Sequence, residues 1–395
     1  FSDKELIEAA KEQLDKLPFY HSFAGKISNP AIDLSEMLIK FSPVPMSKAY
    51  FANSGSEAND SAIKFIWYYN QSLGKTEKRK IISRKRGYHG VTMASGSLTA
   101  MPYAQKGFGL PLDFVLHTMA PDYYNEKHEG ENEEEFSKRC AEELEKLIID
   151  ENPDTVAGFF AEPVMGAGGV IVPPKNYFYE IQKILKKYDI IFVADEVICG
   201  FGRTGNMWGS ETFNIKPDII TAAKALSSAY LPISTVLINE KVYKTIEKQA
   251  NELGIFGHGY TYSAHPVCAA VALKTQNLIR ERNIIQHVNK VTPTFSERIK
   301  KIKGKYEFIG NSRSVGLIGG LEFSYNSNTK FDASKKIAAN AVKYIQNEGV
   351  ILRALPGDIV GICPPLIISK QQTNEMFDKI ELGLKKIEKT INSFK

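Results

Sequence analysis

Short apolar runs alternate with amphipathic stretches through the first two thirds of the chain. "KAYFAN" reads as a strand, and the helical "SEANDSAIKFIWYYNQS" follows it. "TVAGFFAEP" and "IIFVADEV" read as strands on either side of the helix "KNYFYEIQKILKKYD". "PDIITAA" and "ISTVLI" add two more strands. Continuous apolar runs mark strands buried on both faces. The fold class expected is therefore α/β, a mostly parallel central sheet sandwiched by helices.

The pattern changes after about residue 275. Helical stretches "ALKTQNLIRERN" and "PTFSERIKKI" lead into short strands in "SVGLIGGLEF" and "GVILRAL". A last helix starts near Ser369, a residue type suited to an N-cap. Residues 122–140 read as an acidic surface loop running into a helix. The expected division is a large α/β domain over 42–275 and a smaller α+β domain from 1–41 plus 276–395. The chain opens on Phe1, directly in a helical pattern, so a native N-terminal segment is expected to be missing.

Composition narrows the class. The chain is 43% hydrophobic and 24% charged, as expected of a globular protein. A net charge of +5 from 50 basic and 45 acidic residues is too small to argue for nucleic acid. No apolar run is long enough to span a bilayer. Cys140, Cys199, Cys268 and Cys363 form no C-x-x-C pair, so no metal site is expected. Such sparse cysteine usage suggests a reducing compartment, and a cytoplasmic location is expected.

The stretch "VADEVICGFGRTG" contains G-x-G-x-x-G at Gly200, Gly202 and Gly205. A dinucleotide fingerprint needs its third glycine to open a helix. "NMWGSETFNIKPD" follows instead, with no helical period. The acid just upstream is more informative. Asp195 falls at the carboxyl end of one expected strand and Lys224 at the end of the next. Ligands of open α/β sheets gather at those ends. Taken alone, Asp195 reads as a helix cap or ion-pair member and Lys224 as a surface residue. Pyridoxal phosphate would account for both, because its aldehyde bonds a lysine and its pyridine nitrogen needs a carboxylate. In "ANSGSEAND", Ser54, Gly55 and Ser56 lie between a strand and a helix, where free N–H groups suit a phosphate. "GYHG" offers Tyr88 and His89 to a planar ring.

"NSGSEAND", "GYHG", "AEPVMGAGGVIVPP", "ADEVICGFGRTG", "PDIITAAKALSSAYLPI" and "HGYTYSAHPVCAAVAL" together resemble the class III pyridoxal-phosphate aminotransferases, most closely the omega-transaminases that use pyruvate. The resemblance runs from about residue 5 to about 385. It implies the fold-type I architecture of that enzyme class. It also implies that Lys224 is the Schiff-base lysine, Asp195 the partner of the ring nitrogen and Val197 the apolar residue under the ring. Gly55 and Ser56, beside Ser54, match the phosphate cup, Tyr88 and His89 match the ring-stacking turn, and Glu162 matches an acid close to the cofactor. Tyr260 and Thr261 match residues that reach the phosphate from a partner subunit, which implies a homodimer with shared active sites. Arg353 matches an arginine that grips a substrate carboxylate, with Tyr88 beside the substrate. Arg313 reads equally as a structural ion-pair member.

The activity implied is transfer of an amino group from an omega-amino acid or amine donor to a keto acid, pyruvate first, by a ping-pong mechanism. Two other readings stand beside it. One is a different pyridoxal-phosphate chemistry on the same fold, an aminomutase or decarboxylase. The other is an NAD-dependent dehydrogenase built on "GFGRTG".

Overall fold

The computed structural model describes residues 2–325 and 329–392. Seven strands come first in the chain: β1 (Lys48–Ala52), β2 (Lys80–Arg84), β3 (Val115–Thr118), β4 (Val156–Ala161), β5 (Ile191–Asp195), β6 (Ile219–Ala222) and β7 (Ser234–Ile238). They form one sheet in the order β1-β7-β6-β5-β4-β2-β3. Every residue of β4, β5, β6 and β7 is buried, as their continuous apolar runs require.

Alternate residues of each strand serve opposite faces. Val193 and Ile219 pack with Ala58, Ala62 and Ile66 of the helix Gly55–Ser72. Phe192 packs with Phe136 and Leu144 of the helix Glu133–Asp150 and with Ile181 and Leu185 of the helix Tyr177–Lys187. Helices therefore cover both sides of the sheet.

The sheet is mostly parallel, as expected, with one strand reversed. β7 runs antiparallel to both β6 and β1, while the other six strands share a direction. The connection from β6 to β7 contains only the short turn Lys224–Ser227. A parallel return needs a crossover, normally a full helix, so this short connection reverses the chain.

A second sheet is antiparallel throughout. It contains β8 (Ile309–Val315), β9 (Ile318–Phe323), β10 (Arg353–Leu355) and β11 (Ile359–Ile362), in the order β10-β11-β9-β8. Leu321, Phe323 and Val360 pack there against Phe295 and Ile299 of the helix Ile284–Lys305, and Phe377 and Leu384 of the helix Lys370–Asn392. Ser369 Oγ accepts the Gln372 N–H at 3.1 Å, at the start of that last helix.

Residues 1–41 are expected with this smaller unit, but their side chains divide differently. Ala31, Leu34 and Leu38 of the helix Asn29–Lys40 pack with Phe51, Trp208, Ile220 and Leu237 beside the large sheet. The helix Lys4–Lys16 packs on the helix Pro266–Glu281. No helix among the described residues is long and apolar enough to cross a membrane.

Candidate active site

Because six strands of the large sheet point the same way, their carboxyl ends share one edge. Five of them deliver a site residue there. β1 leads to Gly55 and Ser56, β2 to Tyr88 and His89, β4 to Glu162, β5 to Asp195 and Val197, and β6 to Lys224. With Asn59, Gly90, Ile198 and Ala223, these residues line a cavity of about 140 Å³. Asp195 and Lys224 follow adjacent strands, with Asp195 in register with Thr221.

Asp195 is buried and held from three sides. Its Oδ2 accepts from Asn59 Nδ2 at 2.9 Å and pairs with His89 Nδ1 at 2.8 Å. Its Oδ1 accepts the Val197 N–H at 3.1 Å. His89 is thus a partner of the acid, whereas the resemblance gives it to the ring-stacking turn. Glu162 is also buried and accepts from the Tyr88 N–H at 3.0 Å and the Gly166 N–H at 3.1 Å. Burial raises its carboxyl above the usual range, against the opposing pull of His89 and Arg84.

Lys224 has φ +45°, in the left-handed region that a side chain enters at a cost. It has no ion pair among the described residues, and it stays exposed. At the other end of the cavity, the helix Gly55–Ser72 presents its N-terminus. Ser56 Oγ accepts the Val91 N–H at 3.1 Å, which leaves its own O–H free to donate. A Cβ on Gly90 would lie 2.6 Å from that oxygen, and Gly90 has φ +138°, so only glycine fits there.

Not every expected residue is in the cavity. Ser54 is exposed, and its hydroxyl accepts the Glu57 N–H at 3.2 Å as the helix cap. Thr261 is exposed, and Tyr260 packs toward Ser61 and the Glu57 carbonyl. Neither lines the cavity of its own chain. Arg353 lines a larger cavity of about 1140 Å³, which shares Val197, Ile198 and Lys224 with the small one. Arg313 turns away from both. It pairs with Glu322 at 2.6 Å and donates to the carbonyls of Gly169 and Val170. Gly205 opens no long helix, and a Cβ there would meet Asn289 Oδ1 at 2.4 Å.

Three contributors escape a sequence reading. Asn59 looks like one more polar residue on a helix, yet it is fully buried against Asp195. Glu196 accepts from the Gly209 N–H and from both the N–H and Oγ of Ser210, fixing the turn after β5. Burial still pushes its carboxyl up to about 7. Tyr103 lies near Tyr88 and Arg353: burial raises its phenol, and the arginine's charge opposes that.

A family model for class III aminotransferases matches residues 1–384. The chain belongs to that family. Class III aminotransferases depend on pyridoxal phosphate, and the fold is the fold-type I architecture of that class. The chain is 46% identical to a tomato (Solanum lycopersicum) mitochondrial gamma-aminobutyrate transaminase 1, covering all of this chain and 77% of that one. A rice (Oryza sativa subsp. japonica) mitochondrial gamma-aminobutyrate transaminase 1 is 47% identical with the same coverage. Among solved structures, a transaminase with L-Ala superposes with a TM-score of 0.97 at 50% identity, over 99% of this chain and 92% of that one. An omega-transaminase from Pseudomonas jessenii in complex with PMP gives 0.97 at 45% identity, over 99% and 86%.

The residues of this class III enzyme fit its cofactor. A helix N-terminus and a free hydroxyl meet the needs of a phosphate. Asp195 retains an unused lone pair on Oδ1 for a ring N–H. Lys224, an amine with no ion pair among the described residues, lies on the wall of the same cavity.

Proposed function

We propose that this class III aminotransferase moves an amino group from an omega-amino acid or amine to a keto acid, with pyruvate as acceptor, in two alternating half-reactions. One observation carries the reading. The large cavity leads from Lys224 to Arg353, a guanidinium with no ion pair among the described residues. An omega-amino acid has an amine at one end and a carboxylate at the other, which matches those two ends. The relatives named for gamma-aminobutyrate support that donor class.

When bound, pyridoxal phosphate supplies an electron sink that acidifies the proton on the donor's Cα. Asp195 holds a proton on the ring nitrogen, with His89 and Asn59 holding Asp195. Lys224 Nζ, on the wall of the cavity, would hold the cofactor's aldehyde. As a free amine it would serve as the base that takes the Cα proton and the acid that returns it. Ser56 and the N–H groups at the start of the helix Gly55–Ser72 grip the phosphate. Arg353 grips the carboxylate of the keto acid through paired N–H donors.

A homodimer fits the same picture. Phe19, Phe23 and Tyr262 are exposed around the 259–262 turn, and Phe19 and Tyr262 meet edge to face at 5.5 Å. A second copy covering this patch would place Tyr260 and Thr261 toward its own cavity. Four free cysteines, three of them buried, support a reducing compartment. Cytosol, mitochondrial matrix and plastid stroma all meet that condition.

The test is a donor panel against pyruvate, with alanine and the carbonyl product both measured. Gamma-aminobutyrate and related omega-amino acids should yield alanine in equal amount to the carbonyl. Carbon dioxide as a product would favour a decarboxylase, and an isomerised amine without alanine an aminomutase.

A further inference from the structure

Asn59 sits where three elements meet. It belongs to the helix Gly55–Ser72 and is completely buried. Its Nδ2 donates to Asp195 Oδ2 at 2.9 Å and to the His89 carbonyl at 2.6 Å. Its Oδ1 accepts from Thr221 Oγ1 at 2.8 Å, on the strand beside Asp195. The amide has one workable orientation. Turned over, its oxygen would face two acceptors, the His89 carbonyl and the Asp195 carboxylate.

The lone pairs of Asp195 follow from this. Oδ2 accepts from Asn59 and pairs with His89, so both its lone pairs are engaged. Oδ1 accepts only from the Val197 N–H and keeps one free. We propose that Asn59 is a positioning residue: with Thr221 behind it, it fixes the Asp195 carboxylate so that Oδ1 is the oxygen offered to the cofactor's ring nitrogen. The inference rests on the cofactor reading above and adds a residue to it. Donors on a carboxylate also stabilise its charge, and that charge is what keeps the ring nitrogen protonated.

The other titratable groups around Asp195 are His89, Glu162, Glu196 and Cys199, with Lys224 on the same cavity wall. Substitutions at 59 and 221 leave all of them in place. Valine has the shape of threonine and lacks the amide of asparagine, so Asn59→Val removes the donor and Thr221→Val removes only the group that orients it.

The experiment uses holoenzyme of the wild type and both variants, each first reduced with borohydride to locate the cofactor. Label on Lys224 in all three separates this inference from the cofactor reading, and a wild type without that label overturns both. The pH midpoint of the visible absorbance is then compared. A ring nitrogen held less firmly in its protonated form withdraws less charge from the Lys224 nitrogen, so the midpoint of Asn59→Val should rise by about one pH unit. Thr221→Val should move it the same way by less. kcat should fall about tenfold with KM for both substrates nearly unchanged. Midpoints and kcat equal to wild type would overturn the proposal. If Asn59→Val does not fold, Thr221→Val alone decides: a raised midpoint supports the role, and an unmoved one overturns it.

Discussion

Gly55 and Val197 face each other on the wall of the small cavity with no room for a side chain between them: a Cβ on Gly55 would lie 3.1 Å from Val197 Cγ2 and 3.2 Å from Cγ1. The contact ties the start of the helix Gly55–Ser72 to the segment just beyond β5. A side chain at 55 would make Val197 give by a few tenths of an ångström. Gly55 does not have a positive φ, so alanine meets no backbone strain there. Gly55 is the first residue of its helix, so the preference of helix interiors for alanine adds little there. Gly55→Ala should therefore leave the melting temperature nearly unchanged while weakening cofactor binding several-fold. Titration of the apoenzyme with pyridoxal phosphate checks it, and parallel loss of stability and binding would contradict it.

Arg353 stands on the large cavity without an ion pair among the described residues. If it grips the acceptor, Arg353→Ala should raise KM for pyruvate about tenfold or more, the scale of a charge-assisted pair. A donor amine that lacks a carboxylate should be affected less than twofold. Steady-state kinetics with both substrates varied separates the two, and equal effects would remove Arg353 from substrate binding.

Glu196 predicts a pH dependence of stability. Its carboxyl is raised by burial from 4.5 to about 7, despite three donors that favour its charge. A carboxyl raised on folding stabilises the fold below its unfolded value, and that contribution is lost as pH climbs through the folded one. Between about pH 4.5 and pH 7 the wild type should lose on the order of 3 kcal/mol from this group. Buried Glu162 acts in the same sense. Urea unfolding at pH 5 and pH 7.5 measures the slope. Glu196→Gln should start less stable, because Gln turns an N–H toward the donors of Gly209 or Ser210, and its slope should be shallower. An unchanged slope would contradict the assignment.

Arg313 pairs with the buried Glu322 and also holds the Gly169 and Val170 carbonyls against the small sheet. Arg313→Ala should cost about 3 kcal/mol, since buried Glu322 then keeps Lys330, at 3.4 Å, as its ion-pair partner among the described residues. Adding Glu322→Gln should restore part of that. Additive losses in the double-mutant cycle would argue against the pair.

Much of this site was legible because strand ends announce themselves. Apolar runs ending in Asp195 or just before Lys224 place both residues on the ligand-binding edge, and the structure puts them on one cavity. β2 and β3 carry no clear strand signal, because "KIISR" and "VLHT" are short and contain polar residues. The reversal of β7 was invisible in "ISTVLI", since an apolar run is the same in either direction. Asn59 hid for a different reason. In a helix, a polar residue reads as a surface position, and only the packed tertiary structure shows that this one faces a buried carboxylate. Ser54 is ambiguous by type, since serine suits both a phosphate cup and a helix cap, and its hydroxyl accepts the Glu57 N–H as the cap.

The most direct test of the whole account is chemical. Wild-type holoenzyme reduced with borohydride, digested and analysed by mass spectrometry should carry the phosphopyridoxyl group on the peptide containing Lys224 and on no other lysine. Lys224→Ala should carry none and lose its visible absorbance together with nearly all turnover. Label on a different lysine, or full turnover in Lys224→Ala, would contradict it.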